Sequence, residues 1–374
     1  DYIIDSFFFF LVRKMKPFIR NLLRMSVYQI KYMDAVPDSA VCNEAVKLAK
    51  RHKFAQLSGF VNGVLRNIAR NIDSVQFDTL SIRYSMPQWI VDRFVAAYGE
   101  KKAEEIFKAF HNKSTISIRT NLTRCTPDEL RATLEAEGVT VTAVDELDYA
   151  FVISGFDYLN GLQSFRDGLF YVQDISSMLV AQTAAPKKGD YVIDVCAAPG
   201  GKSTHIAELL QGSGHVLARD LTDNKVDMIE ENIERHGLNN MSAEVWDATV
   251  FDADSAGKAD ILICDLPCSG LGVLGRKKDI RYKMTPESVD ELAALQRQIL
   301  DTVHTYVKPN GVLVYSTCTI DEAENEDNVR WFIEKHPEFE LDKSFAEGTG
   351  MKQILPGEHG SDGFFIARFI KSKL

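Results

Sequence analysis

From about residue 146 onward, short apolar runs alternate with amphipathic stretches, and this rhythm constrains the fold more than any other feature. Tyr191–Cys196, His215–Ala218, Ser242–Trp246, Asp260–Cys264 and Val312–Ser316 read as buried strands. Lys202–Leu210, Asp223–His236 and Pro286–Val307 read as the helices between them, and Phe364–Ile370 as one more strand near the end. Strands that alternate with helices through short connections imply a doubly wound parallel sheet. In such a sheet ligands bind at the carboxyl ends of the strands, near the point where strand order reverses.

The residues before this region differ in character. In 1–72 the apolar positions fall at helical spacing, as in Asp38–His52 (Val41, Ala45, Leu48, Ala49) and Ser58–Asn71 (Val61, Val64, Leu65, Ile68). Asp38 or Ser39 is the expected cap of the first of these. In 73–145, Pro87 opens a helix that Gly99 closes, Ile116–Arg119 and Val139–Val144 alternate like strands, and Thr126-Pro127 starts a helix that Gly138 ends. The expected organisation is an all-α module (1–72), a small α+β module (73–145) and an α/β domain (146–374).

Charge follows the same division. The whole chain carries a net −10, but residues 1–72 hold 12 Lys+Arg against 5 Asp+Glu, a net +7. A basic module on an acidic body suits a protein that meets phosphates at one end, and equally a basic solvated helical face. The run Phe7–Val12 is far too short to span a membrane, and acidic residues precede it where a secretory leader would be basic. A buried helix, a cytoplasmic protein and no membrane partner are therefore expected. The six cysteines, at 42, 125, 196, 264, 268 and 318, form no paired CxxC arrangement, so free thiols and no metal site are expected.

Four features fall at strand ends. Cys196-Ala197-Ala198-Pro199-Gly200-Gly201-Lys202 follows the first strand. Its small residues let a ligand approach the backbone, but it matches neither GxGxxG nor a Walker loop. Asp220 ends the second strand, where a carboxylate bonds ribose hydroxyls, and Asp247 follows the third, where it can accept from an adenine amino group. Asp265-Leu266-Pro267-Cys268 follows the fourth strand and Ser316-Thr317-Cys318 the fifth, so two thiols reach one rim of one sheet. A thiolate that adds to carbon-6 of cytosine makes carbon-5 a nucleophile toward an electrophilic methyl group. A carboxyl group such as Asp265 stabilises the adduct at N3, and a second thiol assists release. Chemistry alone does not say which cysteine attacks.

At "DVCAAPGGKSTHIAELL", "ARD", "DLPCSGLG" and "YSTCTI" the sequence resembles the RNA (cytosine-5)-methyltransferases. "LLRMSVYQI", "NEAVKLAK", "FVNGVLR" and "FYVQDISSML" resemble its RsmB/Sun (Fmu) branch, which carries a NusB-like helical module and methylates small-subunit (16S) ribosomal RNA. The resemblance implies a Rossmann-like class I methyltransferase domain, S-adenosylmethionine as cofactor and a monomer. It makes Cys318 the nucleophile and Cys268 the cysteine that assists release. It assigns Cys196–Lys202, Asp220, Asp247 and Asp265 to the cofactor site, with Asp265 also near the base. A transfer RNA substrate and a non-catalytic RNA-binding assembly factor are the alternatives. The helical module starts late against the family, so its first helices are expected to be missing. Arg276–Lys283 holds five basic residues and one acid, with Lys278 where the family has Pro, and reads as RNA-facing.

Overall fold

The helical periodicity of the N-terminal residues is realised as three helices, Pro17–Tyr32, Asp38–Arg51 and Ser58–Asn71. They close on a core that includes Leu23, Cys42, Ala45, Ala49, Val61, Leu65 and Ile68. Leu48, expected inward with its neighbours, is only partly buried. Neither Asp38 nor Ser39 caps the second helix: Pro37 holds the cap position without a side-chain bond, and Asp38 is the first helical residue, where its charge suits the positive end. The computed structural model describes residues 1–7, 12–112 and 115–373. Most of the Phe7–Val12 run therefore lies outside the described residues. Among those described, no helix is long and apolar enough to cross a membrane.

The chain divides into two compact units, Asp1–Met86 and Pro87–Leu374. The first runs past residue 72 because the following segment folds back on it: Tyr2 Oη donates to the Gln76 carbonyl at 2.9 Å, and the Tyr2 and Phe77 rings lie 5.9 Å apart.

The second unit opens with Gln88–Ala109, a helix broken at Gly99, whose φ of 75° L side chains avoid. Four antiparallel strands follow: β1 (Ile116–Thr120), β2 (Thr140–Val144), β3 (Leu147–Ser154) and β4 (Phe170–Val172), in the order β2-β3-β1-β4. Between β1 and β2, Thr126 and Glu129 form a reciprocal capping box on helix Pro127–Ala136. A boundary at 145/146 thus falls inside the β2–β3 hairpin, and the sheet of the middle module runs on to Val172.

Eight strands make the second sheet: β5 (Tyr191–Asp194), β6 (His215–Asp220), β7 (Met241–Val245), β8 (Ala259–Asp265), β9 (Val307–Thr317), β10 (Phe339–Leu341), β11 (Met351–Ile354) and β12 (Phe364–Lys371). The order is β10-β12-β9-β8-β5-β6-β7, with β11 also on β12. Strands β5 to β9 are parallel, and β12 returns antiparallel to β9. The Pro309-Asn310-Gly311 turn survives as an interruption within β9, where the register with β8 shifts.

Period-2 alternation splits the apolar residues between two layers. Ile193, Leu262 and Leu313 face Leu300, Val303 and Phe332 of helices Pro286–Val303 and Glu326–Lys335. Val192, Ile263 and Val314 face Val180 and Ala184 of helix Ile175–Ala184, Ile206 of Gly201–Leu209 and Ile229 of Asp223–His236. Each such fully buried side chain contributes about 1.5–3 kcal/mol relative to exposure. With both faces covered, the carboxyl ends of β5, β6, β8 and β9 are left to build a site.

Candidate active site

Strand β5 ends in Asp194, which is wholly buried. Its carboxylate accepts from Ser203 Oγ at 2.5 Å and from the Cys196 N–H at 3.4 Å, fixing the strand end to the first turn of helix Gly201–Leu209. Burial pushes this carboxyl up to about 7. The glycine turn lies between these anchors. Gly200 has φ 101°, and a Cβ on Gly201 would lie 3.1 Å from the Tyr171 ring, so both positions call for glycine. The exposed Pro199 offers its carbonyl to Asn232 Nδ2 at 2.9 Å, and the Ala198–Pro199 peptide is cis.

A cavity of about 350 Å³ opens at these strand ends. Of the residues expected from sequence, Cys196, Ala198, Asp220, Asp247, Asp265, Cys268 and Cys318 line it. Ala197 is turned into the core, while Pro199, Gly200, Gly201 and Lys202 shape the turn from behind the wall. Lys202 still acts at the site: its Nζ lies 2.7 Å from Asp265 Oδ2, and Ser316 Oγ donates to Asp265 Oδ1 at 2.8 Å. Asp220 accepts from the Ala198 N–H at 2.9 Å, the Leu221 N–H at 2.7 Å and Lys225 Nζ at 2.8 Å. Asp247, exposed, accepts from the Thr249 N–H and hydroxyl on one oxygen, in an Asx turn at the cavity wall.

The two thiols meet at the wall, with Cys268 Sγ and Cys318 Sγ 3.2 Å apart and both partly accessible. A hydrogen bond from Cys268 pulls the Cys318 thiol below the usual range; burial and Asp265 oppose this, and Lys202 and Lys277 assist it. The same bond, with burial, pushes Cys268 well up. Burial raises Cys42, Cys125, Cys196 and Cys264 as well. Cys318 is thus the one cysteine of the six whose surroundings favour the thiolate, the form that attacks.

The basic segment 276–283 needs correction. Arg276 is tied to Asp174 and Asp362, Arg281 is buried with a bond to the Leu274 carbonyl, and Lys283 pairs with Asp279. Lys277 turns into the cavity, and Lys278 and the 73% exposed Tyr282 face outward. The segment is half scaffold and half surface. Among the described residues, Asp301, His304 and His336 bring one potential ligand atom each within 4.8 Å of one another. Lys335 Nζ sits 2.9 Å from Asp301, a positive charge where a cation would need to be.

Sequence reading also missed Trp246, Lys225 and Lys277 in the cavity wall. It missed Glu324, which is fully buried and accepts the Ser269 N–H at 2.9 Å, next to Cys268.

The family model described as 16S rRNA methyltransferase RsmB/F matches residues 181–370. The chain belongs to this family. The NusB family model matches 1–70, and the ferredoxin-like domain of RsmF/B-like methyltransferases matches 86–156. A Bacillus subtilis protein named "Probable ribosomal RNA small subunit methyltransferase B" is 38% identical over 96% of this chain and 84% of its own length. The crystal structure of PH0851 covers the whole chain and 86% of its own at 27% identity and TM-score 0.83. That of NSun6 from Pyrococcus horikoshii with SFG covers 77% of this chain and 99% of its own, at 25% identity and TM-score 0.70. Membership in the RsmB/F family makes this enzyme an RNA methyltransferase, on a Rossmann-like domain with a NusB-like module before it.

Proposed function

We propose that the enzyme methylates carbon-5 of a cytosine in small-subunit (16S) ribosomal RNA, with S-adenosylmethionine as donor and Cys318 as nucleophile. The observation that carries this reading is the thiol pair, 3.2 Å apart in a wall shared with the glycine turn and three carboxylates. The substrate class is supported by the names of the RsmB relatives, and the cofactor by the family and by the SFG with which NSun6 was solved.

The residues present fit the donor. A volume of about 350 Å³ lies within the range of small-molecule sites. Asp220 and Asp247 would hold the ribose hydroxyls and the adenine amino group. Asp220 already accepts three donors of the roughly four a carboxylate can take, and the half-exposed Lys225 is the one free to swing away. When bound, the donor supplies an electrophilic methyl group.

The chain's own residues do the rest. A cytosine turned out of its stack enters the cavity. The Cys318 thiolate bonds carbon-6, which breaks the 5,6 double bond and places an electron pair on carbon-5. Asp265, steadied by Lys202 and Ser316, meets the N3 side of the ring. Once carbon-5 is methylated, its proton passes to solvent water, the electron pair of that C–H bond re-forms the 5,6 double bond and the carbon-6–sulfur bond breaks, with Cys318 departing as thiolate. Cys268 stands where it assists that departure.

The test is transfer of labelled methyl groups to small-subunit ribosomal RNA, with digestion to nucleosides. The wild type should yield 5-methylcytosine. Cys318→Ala should yield none while still binding donor. Label at another atom, or in transfer RNA only, would overturn the proposal.

A further inference from the structure

The Cys268 and Cys318 loops come from different strands, and a single buried carboxylate joins them. Glu324 is 0% exposed and faces no basic side chain in hydrogen-bond range. Its Oε1 accepts the Ser269 N–H and Gln296 Nε2, both at 2.9 Å, and its Oε2 accepts the Ser269 hydroxyl. Ser269 Oγ in turn lies 2.9 Å from Thr319 Oγ1. Ser269 follows Cys268 and Thr319 follows Cys318, so the carboxylate, through one hydroxyl, grips both cysteine loops one residue beyond each sulfur. Gln296 Nε2 also donates to the Pro267 carbonyl at 2.8 Å, gripping the Cys268 loop from its other side.

The polarity of this network is informative. The two partners of Oε1 are obligate N–H donors, and Ser269 can donate to Oε2 while it accepts from Thr319. Burial raises the Glu324 carboxyl above its ordinary range, and the donors on both oxygens act against that rise by favouring the ionised form. The charged and titratable groups that face the thiols are Asp265, Lys202, Lys277 and Glu324; Asp321, Arg93 and Tyr315 act on Glu324 itself. Lys202 and Lys277 act on Cys318, and Glu324 acts on Cys268. Cations offset the negative Asp265 at Cys318, whereas only the negative Glu324 acts on Cys268 besides its partner thiol.

We propose that Glu324 is a positioning residue that locks the two cysteine loops together and keeps the shared proton on Cys268, leaving Cys318 as the attacking thiolate. This rests on the assignment of Cys318 as nucleophile. It adds what that assignment lacks: a cause, built into the fold, for the different roles of two thiols in contact.

Glu324→Gln tests it, because the amide keeps the shape and much of the bonding but removes the charge. The full-length protein is treated with iodoacetamide over pH 6–10, without RNA, and labelling at each cysteine is followed by mass spectrometry. In the wild type Cys318 should label at least about tenfold faster than Cys268 near pH 8. In Glu324→Gln that ratio should fall to about threefold or less, with the Cys268 profile moved to lower pH. A folded Glu324→Gln protein with an unchanged ratio, or with both thiols slowed equally and their pH profiles unmoved, would overturn the proposal. Should Glu324→Gln fail to fold, Ser269→Ala removes the hydroxyl bridge and should narrow the ratio, and an unchanged ratio there overturns it equally. The readout needs no substrate. A wild type that labels Cys268 first contradicts the Cys318 assignment, whereas a wild type that labels Cys318 first with the same ratio in Glu324→Gln contradicts only the role of Glu324.

Discussion

Replacing Lys202 by Met separates the electrostatics of the site from its architecture. The ammonium lies 2.7 Å from Asp265 Oδ2, with side-chain exposures of 14% and 25%. At that distance and an effective dielectric constant of about 20, the gross attraction is about 6 kcal/mol. Removing one partner of a buried pair typically costs 3–5 kcal/mol, and partial exposure of Asp265 brings the expected loss nearer about 2–3 kcal/mol. Methionine keeps most of the aliphatic stem, so the packing of the stem changes little, but it loses the ammonium that lies 5.4 Å over the Phe364 ring. The chemical effect falls on Cys318. Lys202 helps to hold that thiol down and Asp265 pushes it up. Without the cation the thiol must rise. Below its titration the thiolate fraction then drops about tenfold per unit. Single-turnover methylation from pH 6 to 10 should show about a tenfold loss near pH 7.5, an alkaline shift of the inflection, and recovery of most of the rate near pH 10. Urea denaturation gives the stability loss independently. A uniform rate loss at every pH would mean that Lys202 only shapes the turn, and an unchanged profile would refute the electrostatic reasoning.

Two further outcomes follow from buried ionisable groups. Arg119, fully buried, is held by Glu208, Gln173 Oε1 at 3.0 Å and Thr204 Oγ1 at 3.2 Å, linking β1 to the helix after the glycine turn; Arg119→Met should cost about 3–5 kcal/mol in urea denaturation, and adding Glu208→Leu should restore much of it, whereas additive losses would argue against an ion pair. Asp194 is raised by burial to about 7, so the fold favours its protonated form; its contribution is fully present below the ordinary carboxylate range and is lost as pH rises through about 7. Asp194→Asn should therefore flatten part of the fall in stability between pH 5 and 8, and an unaltered slope would place that titration elsewhere.

Much of this architecture was legible because parallel strands covered on both faces leave continuous apolar runs, as in Tyr191–Asp194 and Ala259–Asp265. The rim carboxylates and both cysteines stood out because each immediately follows such a run. Other elements left weaker traces. Helix Ile175–Ala184 is buried on nearly every side, so its sequence has no polar stripe to mark the period. Strand β3 continues the hairpin from β2 across a turn of Asp145 and Glu146, which resembles a linker in sequence. Glu324 stands in the run "IDEAENED", which reads as a solvated acidic loop, and only the fold brings Ser269 and Gln296 to it. The roles in 276–283 differ residue by residue because they depend on partners such as Asp174 and Asp362, about a hundred positions away in one direction and more than eighty in the other.

The division of labour between the thiols can be read from one denaturing gel, with intact-mass analysis of the excised band. Each single alanine variant is incubated with small-subunit ribosomal RNA and S-adenosylmethionine. Cys268→Ala should accumulate a slow-migrating covalent protein–RNA species joined through Cys318, because attack proceeds and release is impaired. Cys318→Ala should form none. A trapped species in Cys318→Ala, joined through Cys268, would reverse the assignment on which the mechanism stands.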